Sequence, residues 1–454
     1  MCPPVHFFLA KADNVRKLFL VATVGLLISS SATAQVVGHQ HDDRGRHIYE
    51  GSPLALDTAV EEALTNNPAL TAARLEFVPL RRQLAQQSYL PPPTVEAEVW
   101  QWPLTTPNPL NTNMYMFSIR QELPGKGKRA LRAAVIGADV ARANNDVREH
   151  ALAIVTDIKQ TYAELFVSRQ AVAAHEESVG LLRKTTDLVT ARYSAGHGGQ
   201  TDVLKSVAEI GRLHSELSML EERVQLATVR LNTLMNRPPG SAIGELAAVS
   251  EDVPVPDIDV LQRLALETHP ALRTARIDVE RAEAQVAVAQ SERRPDFMVG
   301  GGYQLMPRSA GAWTAMAGMT WPNAPWSRGR IDATVAQASA AGAVAKAREQ
   351  VVVNQIAGAV QQAFVRLTAA RSRATLLRTG IIPQSRQLLD AAQVAYQSDR
   401  GDAAALIESQ RMLLELELQY AQALADLQQA HVDLERAVGG DVLTRAADTV
   451  AERR

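Results

Sequence analysis

The chain sets 47 basic against 49 acidic residues in a length of 454, and no block of Lys or Arg stands out, which excludes a nucleic-acid partner held by charge. Aromatics are only 5% of the residues, too few for one broad globular core and in keeping with Ala-rich helical sequence. The single cysteine, Cys2, excludes a disulfide frame.

The N-terminus reads as a targeting segment. Lys11, Arg16 and Lys17 precede the apolar run Leu18 to Ile28, and Ala32-Thr33-Ala34 supplies a small-x-small ending. This predicts a secretory leader over 1–34, cleaved before Gln35. No cysteine follows the run to carry a lipid. No other run approaches the roughly 20 apolar residues of a membrane helix, so any membrane passage falls to strands. Residues 35–53 hold His39, His41, Asp42, Asp43 and His47. These are competent metal ligands, but the stretch reads as a solvated, disordered mature terminus, and no metal site is assigned.

Residues 54–240 form a first unit. Leu56, Val60 and Leu64 predict a short helix that stops at Asn67-Pro68, and a second helix runs from Ala69 to about Tyr89, closed by Pro91-Pro92-Pro93. The period then changes to two. A strand over 94–102 puts Val95, Ala97 and Val99 on one face and Glu96 and Glu98 on the other. After a turn over 103–111, a strand over 113–123 puts Tyr115, Phe117 and Ile119 opposite Ser118 and Arg120. From Lys128 to Tyr193 there is no proline, and Ile158, Leu165, Val172 and Val179 fall seven apart. As one helix, Leu131 to Tyr193 spans about 95 Å. A glycine-rich tip over 194–201, with Gly196, ends it. The next helix carries the seam Val203, Ile210, Leu217, Val224, Leu231 with Ser206, Leu213, Leu220, Ala227, Leu234 beside it, the pattern of helices packed side by side.

A polar linker over 241–259 leads to a second unit, 260–440, that repeats the first at an offset of 202 or 203. His269-Pro270 matches Asn67-Pro68, Tyr396 matches Tyr193, and Gly401 matches Gly198. Strands are predicted over 297–305 and 312–321, and a second tip over 397–404. The second seam is Leu406, Leu413, Tyr420, Leu427, Leu434, flanked by Ser409, Leu416, Ala423, Ala430, Ala437. Pro383 is present only in this copy and is expected to break or kink its long helix. Residues 441–454 read as a mobile tail. A duplicated unit of this length dictates the architecture: mainly α with a small β part, two structural repeats, each a long coiled-coil hairpin with two strands.

Strands of nine to eleven residues suit a tilted bilayer crossing. All five tryptophans (Trp100, Trp102, Trp313, Trp321, Trp326) lie in or beside them, as an interfacial girdle requires. Four strands cannot close a barrel, and open edges are forbidden in lipid, so other copies of the chain must complete it. Six methionines (Met114, Met116, Met298, Met306, Met316, Met319) lie in the strand regions. Thioethers suit a soft-metal path. Lipid-facing or gap-filling packing is the role expected of them instead.

Four stretches, LALDTAVEEALTNNPAL, RYSAGHGGQTDVL, IIPQSRQLLDAAQVAYQ and AYQSDRGDAAALIES, occur in an order that resembles the outer membrane factors, the TolC-like channels of Gram-negative tripartite efflux and type I secretion systems. The resemblance covers Leu54 to Gly440. It implies a homotrimer in outer-membrane lipid, four strands from each chain making a twelve-stranded transmembrane β-barrel, and helices making an α-barrel in the periplasm. It also implies a periplasmic adaptor and an inner-membrane pump, proton-driven, as partners, with no cofactor and no enzymatic activity. The junction QELPGKGKR resembles that of the heavy-metal efflux subgroup. At the tips the family carries acids, which map onto Asp202 and Glu408; Ala405 stands where a further acid is usual. Lys205 and Arg400 are candidates to latch neighbouring helices, and Gly196 and Gly401 to shape the turns. A helix N-cap is the competing role for Asp202, and a solvated surface that for Glu408. Glu96, Glu98 and Arg120 are barrel-lumen candidates, with Val95, Tyr115 and Phe117 towards lipid.

The expected function is therefore a passive exit duct for metal cations or small toxic compounds. A type I secretion exit channel is the alternative within the family. A periplasmic adaptor would show one hairpin between β-rich domains rather than two hairpins and two strand pairs. An enzyme is not expected: there is no glycine-rich phosphate loop or metal-ligand spacing, and His150, His175, His214 and His431 lie singly on long helices.

Overall fold

A computed structural model describes residues 49–100, 112–248, 257–307, 309–398 and 400–440. The predicted leader, the histidine-rich stretch, the turn over 103–111 and the 441–454 tail lie outside the described residues, as does most of the second half of the linker. The first unit comprises α1 (Leu56–Asn66), α2 (Pro68–Gln86), β1 (Thr94–Trp100), β2 (Met114–Leu123), α3 (Lys128–Ser194) and α4 (Gln200–Leu234). The second comprises α5 (Ile258–Thr268), α6 (Pro270–Ser291), β3 (Phe297–Leu305), β4 (Ala312–Met319), α7 (Arg328–Leu376), α8 (Ile382–Gln397) and α9 (Ala403–Val438).

Asn67 separates α1 from α2 for a local reason. Pro68 forces it into the extended region, and its side chain then accepts from the Ala69 N–H at 2.9 Å, capping α2. α3 runs 67 residues without interruption, about 100 Å. Its counterpart is interrupted where expected. Pro383 has no N–H to give and crowds the carbonyl four residues back, so the helix widens into a π turn over Leu377–Ile381 before α8 begins.

Each unit has its own core. In the first, Leu70, Ile158, Leu165, Leu231 and Met235 are fully buried together. In the second, Leu261, Leu272, Val360, Leu367, Leu427 and Leu434 do the same. A side chain of this size contributes about 1.5–3 kcal/mol on full burial. The two units are joined by a stripe on α9 outside the predicted seam. Leu414 packs with Val179 and Leu182 of α3, and Ala421 and Leu424 pack with Val167.

The linker departs from expectation. Its described first half is not simply polar: Ile243 and Leu246 belong to the first core, and Leu246 bridges to Leu54. Under it lies Arg169, which donates to the Ile243 carbonyl at 2.7 Å and to that of Gly244, and stacks 3.8 Å from the Tyr49 ring centroid. Burial lowers the Arg169 pKa, while the nearby Tyr49 and Tyr162 oppose that shift.

The four strands form one antiparallel sheet in the order β1-β2-β3-β4. β2 pairs with β3 from Tyr115↔Leu305 to Leu123↔Phe297, so the two predicted hairpins are fused across the repeat boundary. Only β1 and β4 keep an outer edge unpaired among the described residues. β4 stops at Met319, two residues earlier than the predicted 321, because Pro322 and the turn behind it leave the ladder.

Candidate functional site

At the helical tips the two turns are built differently. α3 ends at Ser194, and Gly196 has φ 78°, a left-handed conformation that glycine alone adopts without strain. Gly198 and Gly401 differ in how closely they approach the preceding helix end. A Cβ at Gly401 would lie 3.1 Å from the Ala395 Cβ and 3.2 Å from the Tyr396 N, a tight approach, whereas one at Gly198 would make only ordinary contact with Tyr193 at 3.4 Å. α9 is capped by Asp402, whose carboxylate accepts from the Ala405 N–H at 2.7 Å. Asp202 is not a cap. α4 begins at Gln200, which places Asp202 in the first turn, where its charge suits the helix dipole. Glu408, Lys205 and Arg400 are exposed, and among the described residues none of these three, nor Asp202, makes an ion pair within one chain.

The contact that binds the two tips was not foreseen from sequence. Arg192, at the end of α3, donates to the Tyr396 carbonyl at 2.7 Å, and its guanidinium lies 4.6 Å from the Tyr396 ring centroid. Around it Val189, Leu389, Tyr396, Ala403 and Leu406 form a small apolar cluster. The available signal was the arginine immediately before Tyr193, matched by alanine before Tyr396.

At the other end the sheet has two chemically distinct faces. One carries Val95, Phe117, Ile119, Phe297, Val299 and Trp313, all exposed; Val95 is 75% and Trp313 83% exposed. Tyr303 and Trp313 sit across from each other, ring centroids 5.0 Å apart. The opposite face brings Glu96, Glu98 and Arg120 together. Arg120 is ion-paired with Glu96, and Glu98 accepts from the Trp100 indole N–H at 2.7 Å. Trp100 therefore does not belong to the outward aromatic set, Trp102 lies outside the described residues, and Trp321 stacks edge-on with Trp326 beyond β4.

The methionines divide between the two faces. Met319 is on the exposed apolar face, and Met306 follows β3. Met114, Met116, Met298 and Met316 share the face of Glu96, Glu98 and Arg120. These four do not lie on the exposed apolar face.

Between sheet and helices lies a built junction. Lys128, the first residue of α3, is 1% exposed, and its ammonium donates to Asp296 at 2.8 Å with Glu292 nearby at 3.5 Å. Asp296 also accepts from the Gly125 N–H at 2.7 Å. Burial works to raise the Asp296 pKa, but the hydrogen bonds from Lys128 and Gly125 and the charges of Lys128 and Arg132 together hold it below the ordinary carboxylate value. The PGKGK motif thus ties the first unit to the start of β3.

Among the described residues no three His, Cys, Asp or Glu side chains converge as a metal site, and no helix is long and apolar enough to cross a membrane. The sequence model of the family described as outer membrane efflux protein matches residues 59–237 and 261–440. The cobalt-zinc-cadmium resistance protein CzcC of Cupriavidus metallidurans is 24% identical over 399 residues, which is 85% of this chain and 90% of that protein. A solved structure of CusC superposes with a TM-score of 0.73 at 16% identity, covering 85% of this chain and 92% of its own. The outer membrane protein VceC of Vibrio cholerae superposes with a TM-score of 0.70 at 19% identity, covering 85% and 96%.

Proposed function

Because this chain belongs to the outer membrane efflux protein family, we propose that three copies of it build a passive exit duct across the outer membrane, fed from the periplasm by an inner-membrane pump through an adaptor. One observation carries the reading: a single sheet with an exposed apolar face and two open edges, standing on helices about 100 Å long. In lipid each unpaired backbone group costs several kcal/mol. Three such sheets joined edge to edge, β4 of one copy to β1 of the next, remove every edge and turn the apolar faces outward. The Glu96, Glu98 and Arg120 face then lines the lumen, and the helices continue the tube into the periplasm. The units 54–240 and 260–440 are its two repeats, preceded by a leader over 1–34.

The tips form the entrance. Repeated by threefold symmetry, Asp202 and Glu408 ring it with acids, which focus the field and attract cations. Lys205 and Arg400, which make no ion pair within one chain among the described residues, latch neighbouring copies, and Gly196 and Gly401 let the turns close. The cargo is a metal cation, in line with the name of the CzcC relative and with the PGKGK junction. The energy for transport comes from the pump.

Extraction of outer membranes with detergent tests the assembly: a heat-resistant trimer is expected, and a monomer soluble without detergent would overturn it. In planar bilayers, Asp202→Ala combined with Glu408→Ala is expected to raise single-channel conductance, because Lys205 and Arg400 lose the acids they pair with and the tips unlatch, which outweighs the weaker attraction for cations. An unchanged conductance would remove both side chains from gating.

A further inference from the structure

The acid face of the sheet carries a second kind of donor at nearly every level. The register sets Met114 beside Trp100, and Met116 between Glu98 and Gln304. Two rungs further, Arg120, Gly300 and Met316 stand in line, and beyond them Glu122, Met298 and Gly318. Rungs on one face are about 6.7 Å apart. Thioethers therefore recur along the height of the sheet, interrupted only at the rung of Ser118, Gly302 and Thr314.

This is an unusual place for methionine. The face is polar, with Glu96, Glu98, Arg120, Ser118, Gln304 and Thr314 on it, and the apolar demand of the strands is already met by the opposite face. Strand propensity alone favours β-branched and aromatic residues over methionine. All four are half-buried, and two of them sit against glycines. The Met298 methyl lies 3.3 Å from where a Cβ of Gly318 would be, and the Met316 Cγ lies 3.0 Å from that of Gly300, so glycines leave the space around both side chains. The Met116 sulfur is 3.8 Å from the Gln304 amide nitrogen. Two of the four have a carboxylate directly across the ladder: Met116 has Glu98 and Met298 has Glu122.

Thioether sulfur is a soft, neutral donor that selects soft, polarizable cations, while a carboxylate supplies attraction at longer range. We propose that this acid-and-thioether face is a transit path for soft monovalent cations of the Cu(I) and Ag(I) kind, handed from one rung to the next. The proposal rests on the duct reading, since it needs this face to line a lumen, and it narrows the cargo from metal cations to thiophilic ones. Repeated weak sites suit passage, because an ion must be held well enough to enter and loosely enough to leave.

The test uses the purified protein after removal of the 1–34 leader, and of Cys2 with it, so that no thiol competes, in planar bilayers bathed in potassium nitrate. Micromolar silver nitrate is expected to lower potassium conductance through occupation of the path, and cobalt nitrate to leave it unchanged. A variant with Met114, Met116, Met298 and Met316 all replaced by Leu should keep its silver-free conductance and require on the order of ten-fold more silver for the same block. Equal silver responses in the two proteins, or none in either, would overturn the proposal while leaving the pore intact. Absence of any conductance from the unsubstituted protein would instead sink the duct reading and this inference with it. If the variant does not assemble, methyl-labelled methionine in the unsubstituted protein gives the same answer. Silver should shift the four methyl signals ahead of the exposed Met219 on α4, and a uniform response of all methionines would overturn the path.

Discussion

His269 takes the place of Asn67 in the other half of the chain, 202 residues on (269−67). Asn67 accepts from the Ala69 N–H and donates to the Leu234 carbonyl at the end of α4, both at 2.9 Å. His269 accepts through Nδ1 from the Ala271 N–H at 3.1 Å and hydrogen-bonds the Arg436 carbonyl at the end of α9, again 202 residues on (436−234). Both caps need an unprotonated acceptor. Asparagine keeps one at every pH; imidazole keeps one only while neutral.

That difference makes the second repeat sensitive to acid. Burial lowers the His269 pKa below its ordinary 6.5, the Arg436 carbonyl opposes the shift, and the Arg436 charge adds to it. A depressed folded value means that the unfolded chain takes up the proton first. The contribution of His269 is therefore fully present above about pH 6.5 and falls away below it, towards the folded pKa. Melting temperatures in detergent from pH 8 down to about 5 should decline less steeply for His269→Asn, which installs the residue of the first repeat. Parallel curves would show that the cap does not respond to pH.

Lys128 is buried at the junction, and Asp296 is its closest partner. Asp296→Asn should leave an ammonium buried with only the more distant Glu292 to balance it. Removing one member of a fully buried pair destabilises by about 3 kcal/mol, and because the Asp296 side chain is 37% exposed the expected loss is smaller than that. Urea or thermal unfolding of the detergent-solubilised protein should register that loss, and Lys128→Met together with Asp296→Asn should recover part of it.

Gly439 ends α9 with φ 93°, and a Cβ there would lie 2.8 Å from His269 Cα. Gly439→Ala is expected to cost about 1–3 kcal/mol, from the left-handed backbone and from the clash with the neighbouring helix start. A melting temperature within error of the parent would show that the contact yields.

Arg192→Ala should free the second tip from the first. Backbone amides over 396–402 are expected to exchange with deuterium faster, with little change near the Asn67 and His269 helix breaks. Arg192→Lys should show an intermediate rate, keeping a charge but losing the planar stack on Tyr396. Exchange identical to that of the parent would remove Arg192 from any clasp.

Much of the fold was legible along the chain because its signals are local. Glycine and proline mark the tips, the Asn67 and His269 breaks and the Pro383 interruption, and each acts within a turn of helix. The seven-residue seams and the strict alternation of β1 and β2 identify which faces are apolar. Even the parity of Met114 and Met116 with Arg120 was present in a single strand. By itself that parity assigns no role, because methionine is so often filler. The Asp402 cap was legible too, as an aspartate just before an apolar run.

What only the tertiary structure decided are the relations between segments far apart in sequence. Nothing local aligns β2 with β3, and a slip of one residue between them would have put Met298 on the opposite face. The α9 stripe against α3, the burial of Ile243 and Leu246, and the seating of Arg192 on Tyr396 likewise depend on which surfaces come to lie side by side. Periodicity states that a face must be covered. The covering partner is selected by packing of the whole chain, where shape and register between distant elements outweigh any preference carried by either element alone.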